Sequence, residues 1–112
     1  HLADSHMNSF IRFKLALTED NPTIKPYDEA AWAELQDSLN MPIEPSLQIL
    51  TGLHKRWVHE LKCLTNREFA ESRFFHPQQN KSITLRESLA FYAWHCDHHL
   101  AHIQNLKKEK GW

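Results

Sequence analysis

The chain has 112 residues, of which 41% are hydrophobic and 24% charged, with a formal net charge of -1. That size fits one domain spanning residues 1–112 with its own core, and the charge balance offers neither the basic face a nucleic acid requires nor a polybasic face for an anionic membrane. No apolar run reaches the roughly 18 residues of a membrane span, the opening lacks the cationic-then-apolar order of a signal peptide, and two cysteines, Cys63 and Cys96, are too few for a disulfide framework; the expectation is a cytoplasmic protein with reduced thiols and no nucleic-acid or membrane partner.

Along the chain, Leu2, Met7, Phe10, Phe13 and Leu17 recur at helical spacing until the Thr18 to Pro22 cluster stops them. Pro22 and Pro26 mark a loop, after which Asp28 can cap one short helix reaching Leu39. Asn40 to Pro45 breaks it. Ser46 is then expected to cap a long helix whose core stripe is Leu47, Leu50, His54, Trp57, Leu61 and Leu64. A helical turn near Arg67–Glu71 and a small hairpin around Gln78 to Lys81 are expected before Thr84-Leu85-Arg86-Glu87, which has the capping-box form and opens a third long helix to about Lys110. Three long helices and only 2 glycines indicate an all-α bundle. Because the chain opens mid-pattern, a four-helix bundle is expected whose first helix precedes His1 or belongs to another subunit.

Nine histidines are the compositional anomaly, and four of them fall in Trp94-His95-Cys96-Asp97-His98-His99-Leu100-Ala101-His102. At roughly 100° per residue, His99 lies within about 40° of Tyr92, Ile103 and Leu106 and so points at the expected core. His95 sits about 40° to one side and His102 about 60°, while His98 is about 100° away. His95 and His99 therefore form the inward pair, one turn apart, able to share one cation. Burying two imidazoles is costly unless each polar nitrogen finds a partner, and one metal ion satisfies a nitrogen on both. His98 and His102 repeat the spacing on the flank, where a supporting or surface role is expected.

A third ligand must come from another helix, and His1, His6, His54, His59 and His76 are the candidates. His54 lies on a core stripe, either as a ligand or as a packed neighbour of Trp57. His6 and His59 each lie about 140° from the other candidate on their own helix, so at most one of each pair should face inward. His76, before Pro77, is expected in solvent. His1 heads a polar row with Ser5, Asn8 and Arg12 that either faces solvent or lines a polar cavity. Cys96, beside the inward pair, is either a soft ligand or a small core residue. The chain has no Glu-x-x-His, H-E-x-x-H, Gly-rich phosphate loop or G-x-S-x-G elbow, which removes di-iron, zincin, P-loop and hydrolase-elbow readings.

His1 to Asn8, Ile11 to Glu19, Pro26-Tyr27-Asp28, Leu53 to Trp57, and Trp94-His95 through His99 to Ile103 together resemble the YfiT-like branch of the DinB superfamily. Ser5-His6-Met7 also has the form left by a cleaved tag, but HLADSHMN resembles that family's helix-two motif, which makes residues 1–6 part of the protein. The resemblance implies a four-helix bundle lacking its N-terminal helix here, usually a homodimer, with a divalent metal held by one histidine of the second helix and two of the last. Carried over, the ligands are His1, His95 and His99, and His54 falls to a supporting role. It also implies a metal-dependent hydrolase or an S-transferase using a low-molecular-weight thiol such as bacillithiol, with zinc or nickel as cofactor. Imidazole ligation fits those metals better than magnesium or calcium. Asn8 and Arg12, on the same helix face as His1, are the groups expected to orient an anionic small-molecule substrate or thiol. The competing expectation is a non-catalytic dimeric bundle whose metal is structural, marked by a fourth protein ligand such as His54 or His102.

Overall fold

Hydrogen bonding at the helix starts sets the frame. In a computed structural model describing all 112 residues, Thr84 accepts from the Glu87 N–H at 3.2 Å while the Glu87 carboxylate accepts from the Thr84 N–H at 2.8 Å. That reciprocal cap opens α6 (Leu85–Lys110), and Gly111, at φ 68, closes it in the left-handed conformation that a glycine adopts without strain. Thr65 and Glu68 make the same cap for α5 (Asn66–Glu71).

The other long helices are α1 (Leu2–Thr18) and α4 (Glu44–Cys63). Helix α4 has its N-cap at Ile43, three residues before the expected Ser46: Pro45 sits in the first turn, where its missing N–H has no partner to lose, and no side chain caps the end. The expected single helix after Asp28 is instead two, α2 (Glu29–Ala33) and α3 (Gln36–Asn40), separated at Glu34 and Leu35. Asp28 does cap the first, accepting from the Ala31 N–H at 2.9 Å. No helix is long and apolar enough to cross a membrane.

The expected hairpin is present: β1 (Arg73–His76) pairs antiparallel with β2 (Lys81–Thr84), Phe74 opposite Ile83 and His76 opposite Lys81. Loop residue Ile24 donates to the Phe75 carbonyl at 3.0 Å, and Phe75 donates to the Pro22 carbonyl at 2.9 Å, strapping the first loop to β1.

The core gathers Phe13 and Ala16 of α1, Ile24, Trp57 of α4, Phe74 of β1 and Leu85 of α6. Burying side chains as large as Phe13 and Trp57 contributes on the order of 1.5–3 kcal/mol each. Helix α1 packs on both α4 and α6. Two expectations about the core are corrected here. Along α4 only Trp57 of the proposed stripe is buried and Leu47 is exposed, and on α6 Ile103 and Leu106 are exposed as well. The reason is length: 26 residues make α6 about 39 Å long, so the long helices run past the residues that pack between them. The buried face of α6 centres on Leu85, Ser88 and His95.

Candidate metal centre

Helix α6 places His95 and His99 one turn apart on the face that meets the start of α1, and His1 caps that start. His95 is 7% exposed, His99 half-buried and His1 exposed. The Nε2 atom of His95 lies 3.4 Å from Nε2 of His1 and 3.1 Å from Nε2 of His99. One nitrogen from each of the three rings falls within 4.8 Å of the other two. Tetrahedral ligands bonded at about 2.0–2.1 Å stand about 3.3–3.4 Å apart, so the two measured separations fit edges of a coordination tetrahedron.

The donor set also suits a cation electrostatically. Burial, and then the neighbouring His99, hold His95 below the ordinary histidine range; burial and then His98 and His102 do the same for His99. Neutral imidazoles carry the lone pair that ligation needs. A single Nε2 of His95 has one lone pair or one proton to offer, and it faces two other ring nitrogens; one ion satisfies all three at once.

His6, which the helical-wheel argument placed opposite His1, is the unexpected member of this cluster. It is 1% exposed, and its Nε2 lies 3.3 Å from Nδ1 of His95 while its Nδ1 lies 2.7 Å from Nε2 of His54. His1 and His6 therefore both reach His95 from different sides, because they meet opposite nitrogens of its ring, His1 at Nε2 and His6 at Nδ1. Burial, reinforced by His54, His95 and His99, lowers His6 to about 4. Cys96 reaches the same nitrogen of His6 that faces His95, Sγ to Nε2 4.0 Å, and is not one of the converging donors; burial pushes its thiol up. His59 is exposed, and His98 and His102 pair with each other at 3.0 Å between Nε2 atoms.

The three histidines open onto a cavity of about 640 Å³, whose walls include Ser5, Arg12, Glu29, His76, Tyr92 and Trp94. The polar row from His1 thus lines a cavity through Ser5 and Arg12, as one of its two readings required. Asn8 is not part of the wall; its amide donates to the Asp4 carbonyl at 2.9 Å. The expectation that His76 sits in solvent is overturned: it is 9% exposed. Strand residues two apart share a face, so the packing of Phe74 into the core carries His76 inward with it. Burial and then the Arg12 charge keep His76 below the usual histidine value, which places Arg12 and His76 together at the hairpin end. Near the other end, the Tyr92 hydroxyl meets Ser5 Oγ at 3.3 Å. The one signal for Ser5 was the polar row; nothing in the sequence marked Glu29 or Tyr92 as wall residues.

Residues 1–103 match the DinB superfamily. The chain belongs to that family. It is 52% identical over 112 residues to a Bacillus subtilis protein named "Putative metal-dependent hydrolase YfiT", covering all of this chain and 62% of that protein. It is 54% identical over 112 residues to "Putative metal-dependent hydrolase OB0782" of Oceanobacillus iheyensis, covering 63% of it. A solved structure of YfiT from Bacillus subtilis, described as a probable metal-dependent hydrolase with an unusual four-helix bundle topology, matches with a TM-score of 0.96 at 52% identity, over 100% of this chain and 63% of that one. The fold is accordingly that of the DinB four-helix bundle, and the chain spans 62–63% of the length of these relatives.

Proposed function

We propose that the chain carries the metal centre of a metal-dependent hydrolase, with His1, His95 and His99 as ligands to zinc or nickel. The observation that carries this is the convergence of three imidazole nitrogens, within 4.8 Å of one another and two of the separations at 3.1 and 3.4 Å, on the wall of an open cavity. The relatives' names support the same reading.

When bound, such an ion would act as a Lewis acid, bringing the pKa of water to near neutrality and deprotonating a thiol outright. The chain's own residues do the rest. The converging set holds three donors, and His54 and His102 are engaged with other histidines; a three-histidine set facing a cavity is the pattern of a reactive site, whereas a fourth protein ligand marks a structural one. Arg12, which makes no ion pair within the chain, lines the cavity and would hold an anionic group of a small-molecule substrate. Phe91 lies against His95, ring centroids 5.8 Å apart, and with Trp94 covers the apolar side of the cavity. A low-molecular-weight thiol would be a second nucleophile for the same site, which is the S-transferase variant of this proposal.

The test is metal content of the purified protein, followed by turnover of small esters and amides that carry a carboxylate or phosphate, with and without added thiol. One equivalent of zinc or nickel per chain and turnover abolished by chelation and by His99→Ala is the expected result. Turnover indifferent to both would overturn the proposal, and turnover that needs the thiol would select the transferase variant.

A further inference from the structure

Only one ring nitrogen of His95 faces the converging set. The other, Nδ1, meets Nε2 of His6 at 3.3 Å, and Nδ1 of His6 meets Nε2 of His54 at 2.7 Å. The alignment suits N–H···N hydrogen bonds. The rings of His6 and His54 are inclined by only 19° with centroids 4.9 Å apart, and those of His6 and His95 by 33° with centroids 5.5 Å apart. With the nitrogens so much closer than the centroids, the rings meet edge to edge rather than face to face. Tyr92 and Trp57 stand nearly perpendicular to the His6 ring, at 85° and 86°, and fix its plane.

We propose that His6 and His54 form a hydrogen-bond relay of fixed direction that holds His95 with its proton on Nδ1 and thereby aims the Nε2 lone pair at the metal. This rests on the three-histidine centre proposed above. The direction follows from counting protons, since a neutral imidazole has one N–H and one lone pair. With the Nε2 lone pair of His95 turned to the ion, Nδ1–H must donate to Nε2 of His6. His6 then carries its proton on Nδ1 and donates to Nε2 of His54, which in turn carries its own proton on Nδ1. Reversing any one proton sets two N–H groups or two lone pairs against each other at a buried site, where an unmade hydrogen bond is costly.

His6, His54 and His95 come from α1, α4 and α6, so the relay ties the three long helices to the aim of one ligand. Metal-bound histidines are usually backed by a carboxylate, a carbonyl or water. A neutral imidazole in that place pulls less on the Nδ1 proton than a carboxylate does, which leaves His95 a weaker electron donor and a bound ion more electrophilic.

Histidine-selective 15N labelling of the zinc-loaded protein at pH 8, read by long-range 1H–15N correlation, reports each tautomer. The expected result is Nδ1–H for both His6 and His95; Nε2–H on either overturns the relay. Zinc titration of variants gives a second reading. His6→Gln keeps an acceptor where Nε2 stood and should stay within about 3-fold of the parent affinity, while His6→Leu should lose 10–100-fold. Equal loss in both would mean that His6 merely fills space, and no loss in a folded His6→Leu protein would mean that it aims nothing; each overturns the proposal. His54→Leu, which leaves the His6–His95 contact in place, should shift the His6 tautomer and weaken zinc by a smaller factor. If the parent protein took up no zinc, the metal centre would fall and the relay with it, whereas zinc bound with Nε2–H on His6 or His95 would overturn the relay alone.

Discussion

Helix α6 carries two histidine pairs at the same spacing, His95 with His99 and His98 with His102, and their Nε2 separations are nearly equal at 3.1 and 3.0 Å. Everything else about them differs. His95 is buried, meets His1 and is backed by His6, whereas His98 and His102 are exposed and His98 instead lies flat against Trp94 at 4.6 Å. The lesson is that i to i+4 spacing supplies a distance and nothing more. A third donor from another helix, loss of water and a supported tautomer separate a metal centre from a pair of surface imidazoles.

The sharpest way to break this contrast is to delete ligands one at a time. His95→Ala, His99→Ala or His1→Ala should each weaken zinc on the order of 1000-fold, about 4 kcal/mol, more than the loss expected for removing a supporting partner. His98→Ala and His102→Ala should change it by less than about 3-fold, measured calorimetrically, and equal losses at both pairs would erase the distinction. A pH titration of metal-free stability comes next. Between its ordinary value of 6.5 and about 4, His6 is protonated in the unfolded chain and neutral in the fold, so the unfolded state binds more protons and stability is lost as the pH is lowered through that window. The loss at the acid end should approach about 3 kcal/mol from His6 in urea unfolding and be smaller in His6→Gln, where His76, His95 and His99 still contribute. Third, Arg12→Ala should raise KM for an anionic substrate on the order of 10-fold, about 1.4 kcal/mol, with metal affinity unchanged. The smallest effect belongs to the helix cap. Thr84→Ala should cost about 1 kcal/mol of stability and leave zinc binding unaltered, because both pairs lie several turns from that end.

Parts of this were legible in the residues. The Thr84 capping box, the three long helices and the His95–His99 pair follow from local patterns whose causes are themselves local: a side chain reaching three residues along, or a period of 3.6. Where a position depends on what packs against it, the pattern misleads. Ile103 and Leu106 extend an apolar face beyond the packed core, so periodicity marks them as inward although they are exposed. His76 reads as a loop residue before Pro77 until strand pairing puts it on the same face as Phe74. His6 was set aside by an angle that allows one inward histidine per helix face, whereas the two nitrogens of one His95 ring receive His1 and His6 separately. The wall residues Glu29 and Tyr92 are set by tertiary approach alone.

Pro77 to Asn80 turns on a left-handed Asn80, at φ 49, and Gln78 and Gln79 border the cavity while remaining exposed. Those two glutamines sit outside the packed interior, on a turn whose register is fixed by the ladder beneath it. Sequence drift there can recut the mouth of the chamber without loosening the scaffold, so selectivity among substrates and survival of the fold are free to evolve on separate residues.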